Sequence, residues 1–190
     1  MKNLLLTAIL ASLTILSACA PVIVGGAVVS GITVANDRRS AGQVLDDKII
    51  SSQVRKEIRK AVEYDKHIKV MTYNGVVLLA GEVENPSDKS RAEDSAAVRK
   101  GVVRVINELH DAAPSDIERR AKDSYITSKA KSSLVRVKLE GFNPTRVRVM
   151  TTRGVVYLMG RVTHSEADAV VERIRNLRGV RRVVKVFEYI

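Results

Sequence analysis

The sequence predicts an α+β fold made of two tandem units, each running helix, strand, strand, helix, strand. Two observations predict it. Residues 70–83, VMTYNGVVLLAGEV, recur as residues 149–162, VMTTRGVVYLMGRV, with nine of fourteen positions identical. Each copy follows a segment with apolar residues at helical spacing, and precedes a second such segment that ends at a glycine and leads into a short β-rich run.

The chain begins outside that pattern. Residues 1–18, MKNLLLTAILASLTILSA, have a positive start and an apolar core and read as a secretory signal. The stretch Leu16-Ser17-Ala18-Cys19 resembles the lipobox of bacterial lipoproteins, in which the thiol is alkylated by a diacylglyceryl group and the new amino terminus is acylated. Cys19 is then the lipid-attachment residue and the first residue of the mature chain. One acyl chain holds a protein only marginally, at ~0.8 kcal/mol per buried methylene, whereas two or more hold it stably. Ala20, where retained cargo carries Asp, resembles the sorting pattern of lipoproteins sent to the outer membrane. Cys19 is the single cysteine, so the mature chain has neither an internal disulfide nor a thiolate nucleophile.

Residues 19–45 read as a lipidated tether. The run 20–35, APVIVGGAVVSGITVA, is apolar, but it is sixteen residues long with three glycines, short of the roughly 20 residues that a spanning helix needs. It rests on the bilayer or packs on a domain, and the sequence does not choose. Asn36 to Ser40, with Gly42, form a polar lead-in to Asp46-Asp47, carboxylates placed to cap a helix.

The first unit spans residues 46–110. Ile50, Val54, Ile58 and Ala61 recur at helical spacing over 47–63, and Asn74-Gly75 supplies the positive φ angles of a two-residue hairpin turn. Asn85-Pro86 opens a helix over about 86–99, Gly101 ends it, and VVRVINEL is the third strand. Residues 111–116, with Pro114 and Ser115-Asp116, are a linker or helix start. The second unit, 117–190, repeats the order. Its first helix is striped by Ile126, Ala130, Leu134 and Val137, its hairpin turns at Arg153-Gly154, and its second helix carries Ala167, Val170, Val171, Ile174 and Leu177. Gly179 stops that helix and RRVVKVFE closes the unit. Val77, Leu79, Gly81 and Val83, and their counterparts Val156, Leu158, Gly160 and Val162, face one side of each sheet and should receive both helices, a two-layer sandwich. Units this small sit near the lower limit for an independent core, so the two should pack on each other.

The αββαβ order, the G-V-V-x-L-x-G-x-V hairpin, and the Gly-Val pairs 101–102 and 179–180 before a basic-apolar last strand resemble the BON domain, a periplasmic module associated with phospholipid. The resemblance implies a three-stranded mixed sheet with two helices on one face. Two such domains after a lipobox, with DRRSxG at 37–42 and DSYITSK at 123–129, resemble the dual-BON outer-membrane lipoproteins that support envelope integrity at division sites.

Charge separates the copies. Residues 46–110 carry 12 Lys+Arg against 11 Asp+Glu, a balance of +1, while residues 117–190 carry 17 against 7, a balance of +10. A lipid-anchored, exported protein meets anionic headgroups first, and each nearby Lys or Arg contributes ~1 kcal/mol. On the first helix of the second unit, Tyr125, Lys129, Ser132 and Arg136 fall on an outward stripe, with Lys131 and Val135 further round. Cations, an amphipathic Tyr and an exposed Val suit a helix lying in the headgroup layer, so these six residues are the expected phospholipid-binding set. A merely solvated helix face is the alternative. The resemblance adds that this helix is the lipid-facing element, at Tyr125, Lys129, Lys131 and Val135; Tyr in place of a deeper-inserting Trp implies weaker engagement. Arg173, Arg175, Arg178, Arg181 and Arg182 form a second basic cluster, which widens the anionic footprint, faces the first domain's acids, or serves solubility.

His67, His110 and His164 lack metal-site spacing, and phosphate loops, nucleophile elbows and catalytic triads are missing. No catalytic residue, cofactor, metal or small-molecule substrate is expected. Few aromatics and an export signal count against nucleic acid. The expected partner is an anionic phospholipid membrane, phosphatidylglycerol or cardiolipin, on the periplasmic face of the outer membrane. The alternative is an adaptor that docks an envelope protein partner of the outer-membrane assembly or cell-wall remodelling machinery.

Overall fold

The computed structural model describes residues 22–24, 27–29, 37–63 and 67–190. The predicted signal segment and Cys19 lie outside the described residues. The chain divides into two compact units, Met1–Ala35 and Asn36–Ile190. In the first, strands β1 (Val22–Val24) and β2 (Ala27–Val29) pair antiparallel. No helix among the described residues is long and apolar enough to cross a membrane.

The second unit carries both repeats. Helix α1 covers Ala41–Ala61, earlier than the predicted start at residue 47. Ser40 is its N-cap: the Ser40 hydroxyl accepts from the Gln43 N–H and the Gln43 side chain accepts from the Ser40 N–H, a reciprocal capping box. The predicted tether therefore ends in helix, and Asp46-Asp47 do not cap it. Strands β3 (Ile68–Tyr73) and β4 (Val76–Val83), helix α2 (Pro86–Ala97) and strand β5 (Arg104–Asp111) complete the first domain. Helix α3 (Ile117–Leu134), a 3-10 turn (Pro144–Arg146), strands β6 (Val147–Thr152) and β7 (Val155–Val162), helix α4 (His164–Arg175) and strand β8 (Arg182–Tyr189) form the second.

In each domain the middle strand pairs antiparallel with its hairpin partner and parallel with the strand after the crossover helix. Asn74-Gly75 and Arg153-Gly154 all have positive φ, as the two-residue turn requires. The turns are held from below by buried helix carboxylates. Asp47 accepts from the backbone N–H of Asn74 (2.7 Å) and Gly75 (2.9 Å). Asp123 accepts from those of Arg153 (2.7 Å) and Gly154 (2.8 Å). Beside each, a hydroxyl pair ties helix to strand: Ser51 to Thr72 at 2.7 Å and Thr127 to Thr151 at 2.8 Å.

Val77, Leu79 and Val83 pack under α1 and α2, and Val156, Leu158 and Val162 pack under α3 and α4, as the alternation predicts. The opposite sheet faces meet each other. Met71, Tyr73, Leu78 and Ala80 of the first domain form one cluster with Tyr157 and Met159 of the second. All three apolar clusters draw on residues of the Asn36–Ile190 unit, which thus carries its own core. Polar contacts lace the joint: Lys69 to the Thr151 carbonyl (2.9 Å), the Arg161 N–H to the Tyr73 hydroxyl (3.1 Å), Asn74 to Glu188 (2.9 Å) and Arg182 to Glu108 (3.0 Å).

Candidate functional site

Helix α3 starts at Asp116, whose carboxylate accepts from the Arg119 N–H, and it buries Asp123, Ile126, Ala130, Ser133 and Leu134. The opposite side is open. Tyr125 is 65% and Val135 72% exposed, Lys131 and Ser132 are exposed, and half-buried Lys129 lies with its ammonium 5.8 Å from the Tyr125 ring centre. Tyr125, Lys129, Lys131, Ser132 and Val135 therefore share one exposed helical surface. Arg136 does not belong to it. The helix ends at Leu134 with Val135 as C-cap, and Arg136, in the following turn, lines a shallow groove with Val137, Lys138 and Arg173. The periodic stripe projected past the helix end because Val137 still packs on the core, although from a turn.

A larger groove, of about 640 Å³, flanks the N-terminal half of α3. Tyr125 and Lys129 form part of its wall, and Arg119, Lys122, Arg153, Arg178 and Arg181 contribute the rest of its cations. The first domain has the corresponding groove, about 440 Å³, between α1, the Asn74-Gly75 turn and the Lys100-Gly101 loop, with Lys100 as the one cation among the described residues that line it. The predicted arginine cluster is thus divided four ways: Arg178 and Arg181 face the larger groove, Arg173 lines the shallow one, Arg182 reaches Glu108 of the first domain, and Arg175 pairs with Glu172 at 3.5 Å. Arg153 was absent from the predicted set. Its signal was its place at a hairpin turn where the first copy has Asn74.

The lead-in to α1, predicted as a polar linker, is instead part of the domain joint. Arg39 is 5% exposed; it pairs with Asp37 and Asp47 at 2.5 Å each and its guanidinium lies 3.8 Å over the Tyr73 ring. Arg38 turns the other way, to Glu166 (2.5 Å) and the Arg161 carbonyl (2.9 Å) of the second domain. Burial pushes the Asp37 carboxyl up, but hydrogen bonds from Arg39 and its charge outweigh burial and hold it below its ordinary value. Glu166 follows the same balance: burial raises it, and hydrogen bonds from Arg38, the Thr163 N–H and Arg146 bring it lower than usual. Burial raises the Tyr73 hydroxyl, with Asp37 adding to the effect.

Two of the three histidines have a side-chain neighbour. His67 lies 3.9 Å from buried Glu82, and His164 stacks on Tyr189 with ring centres 4.3 Å apart. Among the described residues no three His, Cys, Asp or Glu side chains are grouped to hold a metal ion.

The BON domain family profile matches residues 46–111 and again 122–190. The chain belongs to the BON family. It is 34% identical over 189 residues to outer membrane lipoprotein DolP of Haemophilus influenzae, covering 96% of this chain and 95% of that protein. It is 35% identical over 156 residues to the 21 kDa hemolysin of Actinobacillus pleuropneumoniae, covering 81% and 79%. Among solved structures, the C-terminal domain of CdsD, a structural protein of the Chlamydia trachomatis type III secretion system, aligns over 71% of this chain and 96% of its own at 16% identity with a TM-score of 0.30, too slight a likeness to bear on function. The expected family and α+β fold thus hold, and this BON protein is an outer-membrane lipoprotein.

Proposed function

We propose that the protein, acylated at Cys19 and held on the periplasmic face of the outer membrane, binds anionic phospholipid through the outer side of α3 in its second BON domain, without catalysis, and so supports envelope integrity where such lipid is enriched, as at division sites. The observation that carries this reading is the composition of one exposed surface. Tyr125 and Val135, 65% and 72% exposed, stand beside Lys129 and Lys131 on a helix whose other side is in the core. Apolar side chains left open among cations suit a headgroup layer, where the stem or ring enters the acyl boundary and the charge meets phosphate. The balance of +10 over residues 117–190, against +1 over residues 46–110, supports the second domain as the binding one. Ser132 adds a hydroxyl to this surface, and Arg136 contributes beyond the helix end as a neighbouring cation.

Co-sedimentation of residues 36–190 with phosphatidylglycerol or cardiolipin vesicles, and with neutral ones, tests the reading. Selective binding to anionic vesicles that weakens with salt and falls about thirtyfold or more in Lys129→Glu/Lys131→Glu is expected, at ~1 kcal/mol for each cation lost. Binding by the folded protein to neither vesicle would overturn it and turn attention to envelope protein partners.

A further inference from the structure

The two domains carry the same groove with different walls, and the correspondence is fixed by contacts. Asp47 and Asp123 each hold the two N–H groups of a hairpin turn. Ile50 lies against Gly101 as Ile126 lies against Gly179. The Val103 N–H donates to the Gly75 carbonyl (2.9 Å) as the Arg181 N–H donates to that of Gly154 (2.8 Å). Reading along these equivalences, Gln43, Asp46, Gln53, Asn74 and Val103 in the first groove stand where Arg119, Lys122, Lys129, Arg153 and Arg181 stand in the second. The sixth cation, Arg178, keeps the charge of Lys100. Three separate elements, the helix, the turn and the loop after α4, have each turned basic toward one concavity.

Those charges are only partly spent. Lys122 pairs with Glu118 at 2.6 Å and Arg153 with Glu82 at 3.6 Å. Arg119, Arg178 and Arg181 have no acidic partner among the described residues. Of the groove's acids, Asp123 is occupied by backbone N–H groups and Asp116 accepts from the Arg119 N–H. A basic surface that serves solubility alone has no reason to converge on a cleft of about 640 Å³.

We infer that this groove is a headgroup pocket: it takes the phosphate of a single anionic phospholipid between the α3 cations and the Arg178/Arg181 wall, leaving the lipid's glycerol end at Tyr125. The inference rests on the proposed lipid-binding function and deepens it, since it replaces adsorption on a charged helix by saturable recognition of one headgroup. Guanidinium groups on two sides match phosphate oxygens in direction as well as charge. Tyr125 and Lys129 belong to both the groove and the exposed helix surface, which places a phosphate held in the groove within reach of the bilayer face. Lys131 lies outside the groove lining.

The test uses residues 36–190, labelled with ¹⁵N and titrated with sn-glycero-3-phosphoglycerol, the phosphatidylglycerol headgroup without its acyl chains, and separately with inorganic phosphate. Saturable shifts at the Gly154 and Gly179 amides are expected with glycerophosphoglycerol. Affinity should fall at least about tenfold in Arg178→Gln/Arg181→Gln and stay within twofold in Lys89→Glu, which alters an exposed cation of α2 in the first domain. Both altered sites are exposed, and the same spectra report whether the variants are folded. No saturable shift at millimolar glycerophosphoglycerol, equal loss in the two variants, or binding of inorganic phosphate as tight as that of the headgroup would each overturn the pocket. Vesicle co-sedimentation of the same proteins separates the two readings. Sedimentation with phosphatidylglycerol vesicles that is unchanged in Arg178→Gln/Arg181→Gln would overturn the pocket and leave the helix surface standing. Saturable headgroup binding without vesicle binding would overturn the helix surface and support the pocket.

Discussion

Asp123→Ala and Asp47→Ala should destabilise the folded unit by different amounts, although the residues hold equivalent turns. In Asp123→Ala two backbone N–H groups lose a carboxylate at 2.7 and 2.8 Å. A hydrogen bond to a charged group contributes ~1.5–3 kcal/mol, and a buried donor left unmade costs its desolvation. The Gly154 N–H is buried and stays unpaired, while the Arg153 N–H is only partly buried and regains water, so the expected loss is about 3–4 kcal/mol. Asp47→Ala removes the same pair of bonds and also one of the two carboxylates that compensate Arg39, whose side chain is 2% exposed. Leaving a buried charge short of its partner adds to the cost, and the loss should exceed that of Asp123→Ala by at least ~1 kcal/mol. Against a typical total of 5–15 kcal/mol, either variant is severe. Urea unfolding of residues 36–190, followed by circular dichroism with the slope checked for constancy, gives both values. A loss under ~1 kcal/mol for Asp123→Ala, or equal losses for the two variants, would refute the reasoning that these carboxylates hold the turns and that Arg39 depends on Asp47.

The joint should weaken in acid with a definite sign. Asp37 and Glu166 titrate lower in the folded protein than in the unfolded chain, so their contribution is fully present above the ordinary carboxylate range of about 4 and is lost as pH falls through the lower folded values. Thermal midpoints should be flat from about pH 7 to 5 and fall below about pH 4, with a shallower fall in Arg38→Gln, where Glu166 loses one of its two guanidinium partners and keeps Arg146. Gly81→Ala should cost at least ~3 kcal/mol, because a Cβ there would lie 1.9 Å from the His67 carbonyl oxygen at a φ of +138°. Chemical denaturation checks it, and a neutral result would mean that the β3 entry yields without penalty.

Much of the fold was legible because its signals are local. Asn-Gly and Arg-Gly between alternating apolar residues specify hairpins, and glycines 101 and 179, both at positive φ, mark where helices give way to strands. The packing of the two domains was expected from their size, but its mechanism lies in the second sheet face, where Leu78 and Ala80 meet Tyr157 and Met159. The misreadings share a cause. Asp46-Asp47 resembled a helix cap because a carboxylate beside an apolar-periodic run usually is one. Its actual use is a contact 27 residues downstream, from the Asp47 carboxylate to Asn74, to which local pattern is blind. Arg39 read as linker for the same reason: its partners make sense only once the Tyr73 ring is beneath it. At the candidate site, the charge count singled out the second domain and the periodicity its exposed helix surface. The groove escaped notice because Arg153, Arg178 and Arg181 are brought to α3 by topology and not by spacing.

Adjacent arginines at the head of α1 grip different domains: Arg39 is sunk at the corner of the first, and Arg38 is bound to Glu166 of the second. Any pull arriving from a lipid-anchored amino terminus enters the folded unit at this point. The lead-in is thereby fastened to both domains before the α1 backbone begins, Arg39 by two carboxylates and Arg38 by Glu166 and the Arg161 carbonyl. In a protein moored to a membrane by its amino terminus, the residues that lead in from the anchor are thus also residues that tie the two domains together.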